Sequence, residues 1–206
     1  MTVRKLITTL IIPIALITLW SCSDSDSGND PVPVVLENGE AYFPLHEGDT
    51  WYYTDDDQNQ IIRIVSGDTT INSLPCKKIL HVTGVDTVTE EAWSADSLAF
   101  YIHLLDEVLW FDPPLDIPFT LTQDAPYAYN SQVYNGIDNV GVAIGTLTFL
   151  GYVTKTVGAG TFTDAIKIYY DEDAPYSEFY APNVGLLDNE DIILDSAVIN
   201  GISYPQ

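Results

Sequence analysis

Apolar and polar residues alternate over short stretches along most of the chain after residue 40. These stretches are rich in Val, Ile, Thr, Tyr and Phe, which favour strands, and none of them shows the 3.6-residue period of a long helix. The pattern therefore predicts strands over residues 51–55, 60–65, 77–83, 88–94, 98–103, 108–111, 128–134, 140–156, 164–170, 178–180 and 192–198.

Polar turn sequences separate these predicted strands. The predicted turns are Ser66-Gly67-Asp68, Asn72-Ser73, Asn135-Gly136 and Asn200-Gly201. Many short strands joined by hairpin turns indicate an all-β domain with one antiparallel sheet, curled or closed, and not βαβ units. Residues 140–156 are long for one strand, so we expect their glycines to bend it or to form bulges. These glycines are Gly141, Gly145 and Gly151.

The N-terminus has a different pattern, because residues 1–5 are cationic and residues 6–20 form an apolar run. Fifteen residues in a helix rise about 22 Å, which is short of the roughly 30 Å needed to span a bilayer. The pattern predicts a signal peptide over residues 1–21. The sequence Leu19-Trp20-Ser21-Cys22 resembles the lipobox of bacterial lipoproteins, which implies cleavage between Ser21 and Cys22 and acylation of Cys22. An ordinary secretory signal is the alternative.

Residues 22–40 begin with the predicted lipidated cysteine and continue as an acidic Ser/Asp run that ends in Pro-Val-Pro. This composition predicts a flexible tether, and residues 41–206 form the predicted β domain. Acidic runs at this place also resemble the surface-export signals of lipoproteins in some Gram-negative groups. A spacer without sorting information is the other interpretation.

The composition limits the range of partners. The full chain has a net charge of −23, and removal of residues 1–21 would take away Arg4 and Lys5 but no acid. Such a surface repels nucleic acids, so we expect no nucleic-acid partner, and membrane attachment would depend on the acyl chains. If Cys22 carries lipid, Cys76 has no cysteine left to pair with, and its apolar context predicts a buried, unreactive thiol.

The usual signatures of catalysis and metal binding are missing from the sequence. The three histidines, His46, His81 and His103, have no metal-ligand spacing, and there is no Cys-x-x-Cys pair and no Gly-x-Ser-x-Gly motif. The sequence therefore predicts no catalytic residue, no metal site and no cofactor. An acidic cluster could bind calcium through its oxygen ligands, or could form solvated turns. It comprises Asp171, Glu172, Asp173, Asp188, Glu190 and Asp191.

The candidate ligand-binding residues lie in the segment 110–119, which combines aromatic residues with three prolines. Prolines block regular strand pairing, so the sequence predicts a loop here. This loop could cover an apolar cavity as a lid, or cross the domain as a packed segment with no cavity beneath it. The candidates are Trp110, Phe111 and Phe119.

Three segments resemble a widespread type of small bacterial lipoprotein of poorly known function. They are Tyr42-Phe43-Pro44-Leu45 with Gly48, Trp51 and Tyr53; residues 158–167, GAGTFTDAIK; and residues 179–187, FYAPNVGLL. The resemblance implies a highly curved antiparallel sheet, a half-barrel or open barrel similar to the LolA- and LolB-like carriers, and it implies no catalytic residue. The same segments also have a structural interpretation as aromatic core and tight turns.

Together these features predict a non-enzymatic lipoprotein anchored in the bacterial envelope, at the outer membrane, on a face that the sequence leaves open. Its concave sheet would be filled or would carry an apolar ligand or lipid. The alternative is a glycan-binding module with Trp51, Trp93 and Trp110 exposed in a row. A third hypothesis is a hydrolase, which requires two carboxylates in one cleft and a raised pKa on one of them.

Overall fold

The computed structural model describes residues 33–84, 87–105, 107–172 and 174–205. The predicted signal peptide, its cleavage site at Ser21 and Cys22, and most of the predicted tether lie outside these residues. Within the described part of the chain, no helix is long and apolar enough to cross a membrane. The elements are a 3-10 helix (Gly39–Tyr42), β1 (Thr50–Asp55), β2 (Gln60–Ile71), β3 (Leu74–Thr83), β4 (Thr87–Ala95), β5 (Ala99–Leu105), β6 (Leu109–Pro118), β7 (Pro126–Asn135), β8 (Asp138–Val157), β9 (Gly160–Asp171), β10 (Tyr176–Ala181), β11 (Gly185–Asp188), β12 (Ile192–Ile199) and β13 (Ile202–Tyr204).

Each strand pairs antiparallel with the next one in sequence, and β1 also pairs with β12. The first twelve strands therefore form a closed barrel, and β13 adds to the last residues of β12. The predicted all-β antiparallel sheet is confirmed, but the predicted half-barrel or open barrel is wrong. Alternation shows which residues share a face, but it does not show that the first and last strands meet, and an unpaired edge is costly.

The predicted strands all overlap observed ones, whereas β11 and β13 were not predicted. The Asn72-Ser73 and Asn200-Gly201 turns connect hairpins and have positive φ angles, as such turns require. The predicted turn at Ser66-Gly67-Asp68 is wrong. There β2 continues through a bulge between Val65 and Asp68, and Gly67 takes a φ of 124° that an L-residue rarely adopts.

The segment predicted as a proline-rich loop is strand β6. It pairs with β5 at both of its ends, through Leu109–Trp110 and Leu115–Pro118, and with β7 only as far as Asp112. Pro113 and Pro114 lie in the gap of both ladders, where no N–H donor is needed. The segment is thus part of the barrel wall, and neither a lid nor a separate crossing.

The glycines of the long strand β8 have different roles. Gly151 lies in a register shift against β9 and has a φ of 103°, so the predicted bulge is confirmed there. Gly145 faces Tyr129 on β7, and a Cβ at this position would collide with the Tyr129 ring. Gly145 therefore makes room for an aromatic side chain inside the barrel and does not bend the strand.

Residues 34–45, here called the plug segment, pack into the barrel. The Leu36 N–H donates to the Leu121 carbonyl at 2.8 Å, and Leu36 is 3% exposed. The 3-10 helix contacts β5 as well as β10 and β11, which are not neighbours in the sheet, so the segment bridges separate parts of the barrel. Residues before the predicted boundary between residues 40 and 41 therefore take part in the packing of the domain.

The three segments that resemble the lipoprotein family meet in the core. Trp51 Nε1 donates to the Val184 carbonyl at 2.5 Å, and the Tyr53 hydroxyl donates to the Leu186 carbonyl at 3.1 Å. The Tyr42 hydroxyl of the first segment donates to the Asp164 carbonyl of the second at 3.0 Å. These contacts support the structural interpretation of the three segments.

Candidate functional site

The interior of the barrel holds a cavity of about 400 Å³. This volume lies within the range of about 300–1,000 Å³ that is typical of small-molecule sites. Aromatic side chains form the largest group in its lining. The lining residues are Tyr42, Phe43, Pro44, Trp51, Tyr53, Arg63, Glu91, Trp93, Phe100, Ile102, Leu105, Phe111, Leu115, Asp116, Ile117, Tyr129, Ala143, Leu147, Tyr170, Glu172, Tyr176, Glu178, Tyr180, Gly185, Leu186 and Asn189.

The plug segment closes one side of the cavity. The Phe43 ring stacks on Phe100 with centroids 4.7 Å apart and contacts Tyr180 at 4.8 Å. Phe119 packs on the same ring at 5.9 Å. The aromatic cluster links strands from two sides of the barrel, which makes this wall of the cavity rigid.

Arg63 brings a positive charge into the cavity from β2. Its guanidinium lies over the Tyr53 and Trp93 rings, with Cζ 5.5 Å and 5.7 Å from the ring centroids. Arg63 Nε and Trp93 Nε1 are both shielded from solvent and have no hydrogen-bond partner. An unsatisfied buried donor costs about 1–3 kcal/mol, so both N–H groups are available to a ligand that brings an acceptor.

His81 and Glu91 lie beside this arginine on β3 and β4. His81 pairs with Arg63 across the strands, and its Nε2 is 3.4 Å from Glu91 Oε1. Burial, and to a smaller degree the nearby Arg63 charge, lowers the pKa of His81 to about 3. His81 is therefore neutral at neutral pH, so its contact with Glu91 is not an ion pair.

Elsewhere on the lining, tyrosine hydroxyls donate to carboxylates. The Tyr180 hydroxyl donates to Glu178 Oε2 at 2.5 Å, and the Tyr129 hydroxyl donates to Glu172 Oε1. Burial raises the pKa of Glu178, although the hydrogen bonds from Tyr180 and Tyr170 and the charge of Arg63 oppose this shift. A third carboxylate on the lining, Asp116, accepts a hydrogen bond from the Tyr127 hydroxyl at 2.6 Å. Tyrosine donors therefore satisfy an acceptor oxygen in three of the four carboxylates of the lining, and the fourth, Glu91, lies beside His81.

The carboxylates of the cavity bear on the hydrolase hypothesis. The cavity contains several carboxylates, one with a raised pKa, as the hydrolase hypothesis requires, but tyrosine hydroxyls already hold Glu178 and Glu172. The described residues contain no group of three or more His, Cys, Asp or Glu side chains that could hold a metal ion. In the acidic cluster, Asp188 pairs with Lys155 at 2.5 Å and Glu190 accepts the Ser177 N–H at 3.1 Å. Asp173 is not among the described residues.

The three candidate ligand-binding residues lie in different places. Phe111 is buried and lines the cavity, whereas Phe119 is buried against the plug segment. Trp110 is not part of the lining. It stacks on Tyr134 with centroids 4.2 Å apart, and its Nε1 donates to the Gly136 carbonyl at 2.8 Å. The structure therefore brings only Phe111 to the cavity.

Cys76 and the remaining histidines lie away from the cavity lining. Cys76 is buried, as predicted; its Sγ donates to the Leu74 carbonyl at 3.3 Å, and burial raises the pKa of the thiol. His103 is buried with Nε2 2.7 Å from the Ser94 hydroxyl. His46 Nδ1 is 3.1 Å from Asp49 Oδ2. These contacts are local and bring no further chemistry to the cavity.

The sequence interpretation missed Arg63 and the tyrosine-held carboxylates. The sequence did contain a signal that Arg63 faces the core, because residue 63 alternates in step with Ile61 and Val65. A cation at such a position needs a partner, which marks it as a candidate binding residue. No comparable signal distinguishes Glu178 from the many other acids of the chain.

No family model matches this chain, and no curated protein matches it. A comparison with solved structures finds similarity to the crystal structure of a candidate lipoprotein from Parabacteroides distasonis. The sequences are 14% identical and the TM-score is 0.44, with 76% of this chain and 97% of that chain covered. The resemblance of the three segments to small lipoproteins therefore stays a prediction.

Proposed function

We propose that this protein is a lipid-anchored lipoprotein of the bacterial envelope, placed at the outer membrane, that binds a small apolar ligand inside its barrel without transforming it. The observation that carries the proposal is the aromatic-lined cavity of about 400 Å³. Protein interiors are normally close-packed, and a void of this size forfeits contacts that a filled core would make. A bound ligand would restore them.

The anchor is the second part of the proposal and is supported by the lipobox-like sequence at Cys22. We expect cells grown with an alkyne-tagged fatty acid to label the wild-type protein and the Cys76→Ala variant. Because the two cysteines are the only ones in the chain, Cys76→Ala is the matched control for Cys22→Ser, which should lose the label. Equal labelling of Cys22→Ser and the wild type would remove the anchor from the proposal.

Native mass spectrometry tests the cavity. The chain that begins at Ser23 retains every described residue of the barrel and avoids the acyl chains. When it is produced in bacteria and purified without detergent, we expect a population with an added mass that organic extraction removes. A clean apo mass, together with no uptake of fatty acids, alcohols or amines, would contradict the proposal.

A pair of variants on β8 makes this test specific. Ala143 lines the cavity, whereas the neighbouring Val142 is 47% exposed and faces outward. Ala143→Phe should fill the cavity and abolish the added mass, and Val142→Phe should leave it unchanged. If both variants retain the ligand, the binding site is elsewhere.

The tryptophans favour this function over glycan binding. Trp51 is 3% exposed, and Trp93 lines the cavity with its Nε1 shielded. The described tryptophans therefore do not form the exposed row that a glycan-binding surface requires. The absence of catalysis is part of the proposal, and a ligand recovered in cleaved form after incubation with the purified barrel would contradict it.

A further inference from the structure

Strand β8 extends beyond the end of its neighbour β9. It pairs with β7 from Asp138 onward, but its pairing with β9 begins only at Thr146. Within the described part of the chain, residues 138–145 therefore have a neighbouring strand on one side only, and we call them the free edge. The Gly141 N–H donates to Asn139 Oδ1 at 3.1 Å, within the free edge itself. A strand edge of this kind presents N–H and C=O groups that can pair with another strand.

The side chains of the free edge suit such pairing. Val140, Val142 and Ile144 alternate along it and are 56%, 47% and 67% exposed, and Ile137 in the adjoining turn is 96% exposed. Residues 139–145 contain neither a charged residue nor a proline, although the chain has 30 acids. Proteins usually protect an open strand edge with charges, prolines or a covering loop. An exposed, uncharged row of β-branched residues is therefore the pattern of a strand that pairs.

A second copy of this chain matches the free edge, because the segment is complementary to itself. When two free edges run antiparallel about a twofold axis, Val142 lies opposite Val142 of the second copy, and Val140 lies opposite Ile144. Gly141 and Ala143 are then paired on the other face of the sheet. Every outward pair combines two β-branched side chains, which are favourable cross-strand neighbours.

We propose that this protein forms a twofold dimer in which the free edges of two copies pair antiparallel over residues 139–145. The β7–β8 hairpins of the two barrels then form one continuous four-stranded sheet. The Gly141 N–H exchanges its contact with Asn139 for a backbone acceptor of the second copy. This inference goes beyond ligand binding and does not depend on it, because Val140, Val142 and Ile144 are not part of the cavity lining.

Other occupants fit the free edge less well. Before the described residues, the chain offers an acidic Ser/Asp run over residues 23–30 and then Pro31-Val32-Pro33, a composition that disfavours strands. A basic peptide would be attracted by the net charge of −23, but residues 139–145 offer no acid for it to contact. A second copy brings a strand that is already extended and held by β7, so little conformational entropy is lost on pairing.

Like charges at the ends of the new ladder limit the affinity of the dimer. Thr146 follows the free edge and pairs with Asp171 on β9, and Asp138 of the second copy approaches the same place. Two carboxylates therefore come near each other at each end of the ladder. Asp138→Asn should consequently tighten the dimer, and so should a rise in salt concentration. A weaker dimer of Asp138→Asn would contradict the pairing over residues 139–145.

Sedimentation velocity of the chain beginning at Ser23 tests the dimer. We expect the wild type to shift from monomer to dimer as its concentration rises through the micromolar range. Val142→Lys and Val142→Glu each place two like charges directly opposite at the twofold axis, and each should weaken the dimer by about tenfold or more. An equimolar mixture of these two variants should restore it, because Lys then lies opposite Glu.

Thr154→Lys is the matched control, because Thr154 is exposed on the part of β8 that has β9 as its neighbour. It makes the same change in charge and should leave the dimer unchanged. A monomer at every concentration would overturn the proposal, whether the edge stays open or takes a strand of another protein. A dimer that Val142→Lys leaves intact, or one that the Lys/Glu mixture fails to restore, would also overturn it.

Disulfide trapping tests the same pairing in the full-length protein in its own membrane. In a Cys76→Ala background, Val142→Cys places two thiols on residues that lie directly opposite, with Cβ atoms about 5 Å apart, which is within reach of a disulfide. Oxidation of intact cells with diamide should therefore give a covalent dimer on a non-reducing gel. Thr154→Cys in the same background should remain monomeric. Equal trapping of both variants, or trapping of neither, would overturn the proposal.

Discussion

The inner faces of β2 and β3 change character within two residues. On β2, Val65 is 0% exposed while Arg63 faces the cavity, and on β3, Ile79 is 0% exposed while His81 lies against Glu91. We call Val65 and Ile79 the packed pair, and Arg63 and His81 the polar pair. Both pairs point to the same side of the same two strands, so strand geometry alone does not separate them.

The difference lies in what each pair contributes. Complete burial of a Val or Ile side chain is worth about 1.5–3 kcal/mol, so the packed pair stabilises the barrel. The polar pair carries Arg63 Nε and His81 Nε2, which are shielded and have no hydrogen-bond partner, at a cost of about 1–3 kcal/mol each. Apolar side chains could have filled the barrel at these positions. Because the polar pair costs stability instead, it points to ligand binding as the role of this wall.

The largest effect should come from the packed pair. Ile79→Ala leaves a cavity where no solvent reaches, and we expect it to lower the free energy of unfolding by about 3 kcal/mol. Urea denaturation followed by tryptophan fluorescence measures this loss. Ile144→Ala is the control, because Ile144 is 67% exposed on β8 and its replacement should cost less than about 0.5 kcal/mol. Equal losses at both positions would show that Ile79 is not part of a packed core.

The next effect concerns pH and the polar pair. His81 has its pKa lowered to about 3 by burial and by Arg63, so the unfolded chain binds a proton below about pH 6.5 that the folded chain does not bind. Stability from this group is present above pH 6.5 and is lost as the pH falls towards 3. Between pH 7 and pH 5 the loss amounts to about 2 kcal/mol, and His81→Gln should remove this part of the pH dependence.

An NMR titration of the His81 ring provides the direct measurement. The carboxylate of Glu91, 3.4 Å from Nε2, is the group that would favour protonation. A His81 pKa at or above 6.5 would show that this carboxylate outweighs burial, and the polar pair would then contain two charges instead of one. Glu91→Gln should lower the measured pKa further if the carboxylate contributes at all.

The same contrast explains how much of the molecule could be predicted from the sequence. Strands follow from alternation, so β2 and β3 and their inward positions were predictable, as was the hairpin at Asn72-Ser73. Closure between β1 and β12 was not, because pairing between the ends of the chain leaves no local pattern. The cavity also could not be predicted, since the inward position of Arg63 does not reveal whether the space beside it is filled.

A smaller effect is expected at Glu178, which lines the cavity from β10. Burial raises the pKa of Glu178, so the charged form is disfavoured in the folded state; the stability linked to this group is present below about pH 4.5 and is lost as the pH rises through the folded pKa. Glu178→Gln keeps an acceptor for Tyr180 without the charge. We expect this variant to raise the melting temperature at pH 7 by a few degrees, which corresponds to about 1 kcal/mol in the free energy of unfolding. The melting temperature at pH 4 should change little. A lower melting temperature at pH 7 would mean that the charged carboxylate stabilises the barrel.

The smallest effect on stability should come from Arg63→Met, and it separates the two pairs most directly. The substitution removes an unsatisfied donor but also the contacts of the guanidinium with the Tyr53 and Trp93 rings, which are worth about 0.5–1 kcal/mol each. These contributions oppose each other, so the free energy of unfolding of the ligand-free protein should change by less than about 1 kcal/mol. Arg63 lines the cavity, so a ligand bound there should stabilise the wild type more than the variant. A loss of 3 kcal/mol without ligand, as at Ile79, would place Arg63 with the structural core instead of the binding site.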